Sequence, residues 1–223
     1  MAVRAKRGLP EQEARKLLAE YGISFPKHKL AKTRDEAIEI ASEIGYPLVM
    51  KIVSPDVLHK TDVGGVKLHI TNKKEVSKVW EDIMESVKRH EPDAEITGIF
   101  LEEEVEGGHE IIIGGTRDPV FGPTIMFGGV GGIYVELFDD VSFRLAPIAE
   151  KEAEKMMKET RGYKILTGYR GQPTADIDAI KKLLVKVSQV MNERTKIEEL
   201  DLNPVRAFPD RVLVLDAKII QSV

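Results

Sequence analysis

The chain has 223 residues, 42% of them hydrophobic, with a formal net charge of -4 and no cysteine. That apolar content builds a packed core rather than a disordered segment, and the missing thiols exclude disulfides and thiolate metal sites. A mildly acidic balance excludes the broad basic field that nucleic acid or an anionic membrane would need, and no apolar run is long enough to span a bilayer.

Residues 1–9 read as a basic lead-in with no hydrophobic signal core, which with the absent cysteines makes the cytoplasm the expected location. Pro10 suits the first turn of a helix whose face is Ala14, Leu17, Leu18 and Tyr21, stopped by Gly22. A short strand is expected over 23–30. Thr33 and Glu36 form a capping box ahead of a helix facing inward through Ala37, Ile40, Ala41 and Ile44, ended by Gly45. Tyr46-Pro47-Leu48-Val49-Met50-Lys51-Ile52-Val53 then reads as a buried strand with a lysine inside it. A loop with His59, Lys60, Thr61, Gly64 and Gly65 leads to a second apolar strand over 66–71. Asn72 with Glu75 opens a third amphipathic helix through Val76, Val79, Trp80, Ile83, Met84 and Val87. This order implies helices on one face of a small sheet.

Residues 96–105 read as a strand leaving that first unit, broken by Glu106-Gly107-Gly108. Strands over 109–116 and 120–127 flank a hairpin turn at Arg117-Asp118-Pro119. A second glycine cluster follows, then a strand over 143–148 and a helix over 150–159. Residues 161–173 are expected as an irregular loop. Asp176 caps a helix through Ile180, Leu183, Leu184, Val187 and Val190. A hairpin closes the chain: a strand over 197–202 ended by Pro204, a turn at Pro209-Asp210, and a return over 211–219. The expected division is a lead-in and helix over 1–22, a first subdomain over 23–101 and a second over 102–223.

Four groups could carry chemistry. An unpaired lysine in an apolar strand is costly, so Lys51 serves either one core carboxylate or a phosphate. The glycine loop after it favours phosphate, because glycine-rich loops expose backbone N–H groups that bind phosphate oxygens. Glu102-Glu103-Glu104 is by default a solvated strand face; the functional alternative has Glu102 taking an adenine amino group and Glu110 the ribose hydroxyls. Glu199, Asp201 and Asn203 alternate along one strand and point the same way, with Asp216 near their level on the return. Magnesium takes oxygen ligands, keeps several waters and bridges phosphates through one or two carboxylates, so Asn203 and Asp216 form a candidate site, against the alternative of an ordinary polar hairpin. His59, in a cationic loop, is by default a surface residue; a neutral imidazole there could attack phosphorus. The other histidines lack such neighbours. There is no GxxxxGK[ST] and no GxGxxG between a strand and a helix, so neither a P-loop nor a dinucleotide fold is supported.

The strand carrying Lys51, the loop His59-Lys60-Thr61-Asp62-Val63-Gly64-Gly65-Val66 and Glu199-Leu200-Asp201-Leu202-Asn203-Pro204 together resemble the ATP-grasp ligases. Within them they resemble the β subunits of ADP-forming acetyl-CoA synthetases, relatives of succinyl-CoA synthetase. The run Gly122-Pro123-Thr124-Ile125-Met126-Phe127-Gly128-Gly129-Val130-Gly131-Gly132 resembles that subgroup more than succinyl-CoA synthetase. The resemblance implies an α+β fold of two subdomains gripping a nucleotide between them. It implies a reversible ligase converting acyl-CoA, ADP and phosphate to free acid, ATP and CoA through an acyl phosphate and phosphohistidine. It further implies that Lys51 holds the nucleotide phosphates with Gly64 and Gly65 over them, that Glu102 and Val105 meet adenine and Glu110 ribose, and that Asn203 and Asp216 hold Mg2+. His59 matches the subgroup's second histidine, and succinyl-CoA synthetase has none at that position. A separate CoA-binding α subunit in an α2β2 assembly is implied, with ATP or ADP as substrate. The competing possibilities are a nucleotide-binding regulatory subunit without chemistry, and a carboxylate–amine ligase of the wider group.

Overall fold

A computed structural model describes residues 5–57, 59–129, 131 and 139–223. The chain divides into two compact units, one formed by Met1–Phe25 with Gly107–Val223 and the other by Pro26–Glu106. The division therefore falls at other points than 22 and 101: the first helix shares a core with the C-terminal segment, and Glu102 to Glu106 stay with the preceding strands.

In the unit Pro26–Glu106, strands β2 (His28–Ala31), β3 (Leu48–Val53), β4 (Val66–Ile70) and β5 (Gly98–Glu103) form an antiparallel sheet in the order β2-β5-β3-β4. Helices α2 (Arg34–Ile44) and α3 (Lys73–His90) cover one face. Thr33 accepts from the Glu36 amide, and Asn72 accepts from the Lys74 and Glu75 amides. These caps satisfy otherwise orphaned first-turn donors. The apolar stripes of both helices meet Leu48, Met50, Ile52, Ile70, Ile99 and Leu101. Because side chains alternate along a strand, Val49, Lys51, Phe100, Glu102 and His28 share the other face. Strand β5 does not leave the unit as its position in the chain suggests. It lies between β2 and β3, since its run from Ile99 to Leu101 is buried throughout and suits a central strand. Strand β4 is an edge, its Leu68 64% exposed.

In the other unit, β1 (Lys6–Gly8), β6 (His109–Asp118), β7 (Gly122–Gly128), β8 (Val141–Leu145), β9 (Ile197–Ala207) and β11 (Ala217–Ser222) run in the order β1-β11-β9-β6-β7-β8, with β10 (Val212–Val214) paired to β9. Helices α1 (Glu11–Glu20), α4 (Glu150–Glu159) and α6 (Ile177–Glu193) pack on one face, where Ala14, Leu18, Met156, Leu184, Val187 and Met191 meet Ile111, Ile113, Ile125 and Leu202. The stretch expected as an irregular loop holds a short helix α5 (Tyr163–Leu166) and a 3-10 turn (Tyr169–Gly171), with Leu166 buried.

Strand β9 does not stop at Pro204. It pairs β6 at Ile113↔Leu202 and again at Ile111↔Val205, with a register shift between. Pro204 sits within that irregularity, where a missing N–H breaks no regular ladder bond. Asp216 accordingly lies in the bend between β10 and β11, ahead of the returning strand. Among the described residues no helix is long and apolar enough to cross a membrane.

Candidate nucleotide and metal site

The first group of candidates lies in the unit Pro26–Glu106. Lys51 on β3 and Glu102 on β5 project from the same sheet face, and Lys51 Nζ donates to Glu102 Oε1 at 2.9 Å. Their side chains are 13% and 3% exposed. This corrects the default view of the acidic run: Glu102 is buried against a cation, while its neighbour Glu103 is exposed. Alternation also puts Glu104 on the face of Glu102, 3.5 Å from His69 Nδ1. Val105, half-buried, follows β5.

The loop between β3 and β4 is a packed turn. Val57 and Val63 are buried. Ser86 Oγ donates to the Val63 carbonyl at 2.8 Å, and Asp56 Oδ2 accepts from the Glu95 amide at 2.7 Å. His59 is exposed on it; its neighbour Leu58 lies outside the described residues. The two glycines do not present free donors as the sequence suggests. Gly65 N donates to the Lys60 carbonyl at 2.7 Å and Gly64 N to the Thr61 carbonyl at 3.0 Å. Glycine is required here for shape. Gly64 has φ +68, and a Cβ at Gly65 would stand 2.5 Å from Ile52 Cγ2 and 2.9 Å from the Lys60 carbonyl oxygen.

The second group lies in the other unit. Glu110 on β6 faces Arg206 on β9 across the sheet, Oε2 to Nη2 at 3.3 Å. Gly131 N donates to the Glu110 carbonyl at 2.6 Å. A Cβ at Gly131 would stand 2.8 Å from Glu110 Cγ. So part of the second glycine cluster closes over the Glu110 backbone; Val130 and Gly132 lie outside the described residues. Asn203 N donates to the Asp216 carbonyl at 3.3 Å, which brings the two expected metal ligands side by side. Asp201 joins them. Burial and the neighbouring Asp216 carboxylate push its carboxyl above the usual range, against the pull of Lys218.

The donor set is hard oxygen throughout: two carboxylates that repel each other, and an amide. It fits a cation such as magnesium, which would relieve that repulsion. Among the described residues there is no cluster of three or more His, Asp or Glu that could hold a metal by itself. On the sheet face away from the helices, a cavity of about 280 Å³ is lined by Gly114, Thr116, Met126, Phe143, Glu199, Asp201 and Lys218 among others.

Each group thus gathers some of the expected residues. Lys51 meets Glu102, Asn203 meets Asp216, and Glu110 has a partner the sequence does not signal. Arg206 is 96 positions from Glu110 in the chain, and only strand register pairs them. Asp201 had a signal, its alternation with Asn203, but nothing local shows that its carboxyl rather than that of Glu199 lies beside Asp216.

A family model for the ATP-grasp domain matches residues 2–220. The chain is 44% identical over 214 residues to the acetate–CoA ligase (ADP-forming) I subunit beta of Pyrococcus furiosus, covering 96% of this chain and 92% of that one. The acetate–CoA ligase (ADP-forming) I of Archaeoglobus fulgidus is 46% identical over 213 residues, which are 96% of this chain but 30% of that longer one. A solved structure of the Ca. Korarchaeum cryptofilum dinucleotide forming acetyl-coenzyme A synthetase 1, in complex with coenzyme A, Ca-AMPCP and HgCl+, matches with a TM-score of 0.93 and 50% identity, over 96% of this chain and 93% of that one.

Proposed function

The chain belongs to the ATP-grasp family, and from that premise we propose that it is the nucleotide-binding β subunit of an ADP-forming acyl-CoA synthetase. The reaction is acyl-CoA + ADP + phosphate ⇌ free acid + ATP + CoA. The observation that carries this is the match to the Pyrococcus β subunit over 96% of one chain and 92% of the other.

Lys51 takes the nucleotide phosphates. Without nucleotide, Glu102 holds its charge in place; with nucleotide, Glu102 turns to the adenine amino group beside Val105. Glu110, oriented by Arg206, accepts from the ribose hydroxyls. Asn203 and Asp216, joined by Asp201, would hold Mg2+, which would supply positive charge to offset that of the nucleotide phosphates. Gly64 and Gly65 fold the loop tightly enough to present His59. Its imidazole relays a phosphoryl group between a phosphohistidine of the α subunit and ADP: the N–P bond to His59 forms as the N–P bond to the α-subunit histidine breaks, and the P–O bond to ADP then forms as the His59 N–P bond breaks. A CoA-binding α subunit supplies the acyl chemistry, in an α2β2 assembly. The subunit naming of the Pyrococcus relative and the longer Archaeoglobus chain support such a partner.

The test is reconstitution. The purified chain is expected to bind ADP with Mg2+ by calorimetry but to make no ATP from acetyl-CoA. Adding a CoA-binding α subunit is expected to restore ATP formation. Steady acetyl-CoA-dependent ATP synthesis by the single chain, or no binding of ADP at all, would overturn the proposal.

A further inference from the structure

We propose that the buried Arg15–Glu11 pair on α1 positions the metal-bearing bend at Asp216. This rests on the assignment of Asp216 as a magnesium ligand. Arg15 and Glu11 stand one turn apart and are 2% and 8% exposed. Arg15 Nε and Nη2 both donate to Glu11 Oε1, at 3.0 and 2.6 Å. The Phe25 ring lies against the guanidinium, its centroid 5.1 Å from Cζ. The same Nη2 donates to the carbonyl of Leu215 at 2.9 Å, and Leu215 immediately precedes Asp216.

A buried ion pair is weak evidence of a stabilising role. Exchanging a buried ion pair for apolar side chains of similar volume is often neutral or stabilising. Beyond meeting Glu11, Arg15 holds a backbone carbonyl in the bend. Other bonds restrain the same few residues. Leu215 N donates to the Pro204 carbonyl at 3.0 Å, Asn203 N to the Asp216 carbonyl at 3.3 Å, and Val214 N to the Ser24 carbonyl at 2.9 Å. Arg15 adds a charged donor from the helix side, and charge-assisted bonds are roughly twice as strong as neutral ones. Glu11 on one side and Phe25 on its face leave the guanidinium plane little freedom, so Nη2 stays aimed at Leu215. The peptide joining Leu215 to Asp216 is thereby fixed, and with it the direction in which Asp216 leaves the chain toward Asp201 and Asn203. Groups that orient metal ligands from behind commonly matter about 10–100-fold to metal affinity.

The double variant Glu11→Leu/Arg15→Met removes both charges and keeps the volume. It is expected to melt at or above the wild-type temperature. Magnesium, titrated calorimetrically in the presence of ADP, is expected to bind about tenfold more weakly. In the reconstituted enzyme the KM for the magnesium nucleotide should rise with little change in kcat, a split that a general loss of stability would not produce. Glu11→Gln, which keeps the packing but loosens the guanidinium, should show a smaller shift in the same direction. Asp216→Asn runs alongside. Wild-type magnesium affinity in the folded double variant, with a loss in Asp216→Asn, overturns the positioning role. Wild-type affinity in Asp216→Asn overturns the assignment beneath it. If the double variant does not fold, unchanged affinity in Glu11→Gln overturns the proposal.

Discussion

His59 and Asp201 pose opposite problems. His59 is exposed on a loop anchored by the buried Val57 and Val63, so its replacement should cost little stability. If it carries phosphoryl groups, His59→Ala should leave nucleotide binding intact and stop label passing from γ-labelled ATP to the α subunit. Transfer at near wild-type rate in the variant would rule the relay out. Asp201 is a carboxyl held in an unfavourable setting, its proton affinity raised by burial and by Asp216. A folded-state carboxyl raised above its unfolded value opposes folding at neutral pH, because the unfolded chain ionises more readily. Asp201→Asn should therefore raise the melting temperature at pH 7 without divalent cations. Added Mg2+ with ADP should then stabilise the variant less than the wild type. A variant that melts lower than wild type in chelator would show that Asp201 has a structural partner instead. The alternation of Asp201 with Asn203 and the level of Asp216 on the closing hairpin are legible along the chain; which carboxylate of the alternating set lies beside Asp216 is not, since it depends on the register of β11 against β9.

Among the elements, helices were the most legible. Capping residues and apolar spacing act within one turn or two, so Thr33, Asn72 and Asp176 mark their helices without any tertiary information; Asp176 accepts from the Ala179 amide at 2.9 Å. Strands were read less well, because neighbours far along the chain set their ends: β9 runs on past Pro204 and β5 takes the centre of its sheet. The β6–β7 hairpin is where the sequence puts it, but its turn lies over 119–121 rather than 117–119, because Arg117 and Asp118 still pair with Pro123 and Gly122; the turn is chemical. Asp118 Oδ1 accepts from the Phe121 and Val120 amides at 2.8 and 2.7 Å, and these bonds hold its carboxyl below the usual range. A lowered carboxylate contributes stability that is present above its unfolded pKa and lost as pH falls toward the folded one. Asp118→Ala should therefore melt lower than wild type at pH 7, with the gap narrowing below about pH 4. A gap that does not change with pH would mean that the carboxylate charge plays no part in the turn.

For the whole molecule, the N-terminal segment matters out of proportion to its place. Ala14, Leu18 and Ile23 are buried in the core that includes Ile111, Val205 and Ile219, and β1 pairs with β11 at Lys6↔Ser222. Removing a single buried leucine side chain costs about 2–5 kcal/mol, against total stabilities of about 5–15 kcal/mol for whole domains. Deleting residues 1–25 should thus unfold the unit that contains Gly107–Val223. In that truncation, circular dichroism should show loss of the cooperative melt of this unit. An unchanged melt would mean that α1 is an appendage.

By itself the sequence determined the class of fold, the longer helices, the family and the residue types of a candidate phosphate and magnesium site. Those rest on local caps, on 3.6- and 2-residue periodicities, and on short motifs, all of which act over a few positions. Apart from Asn203 with Asp216, which the closing hairpin already suggests, tertiary structure decided which residues meet. It paired Lys51 with Glu102, Glu110 with Arg206, and Asp201 with Asp216. It also spent the Gly64 and Gly65 amides inside their own loop, and set Arg15 of the first helix against Leu215 near the end of the chain. These are contacts across strand registers and between segments far apart in the chain, and no local preference encodes a register.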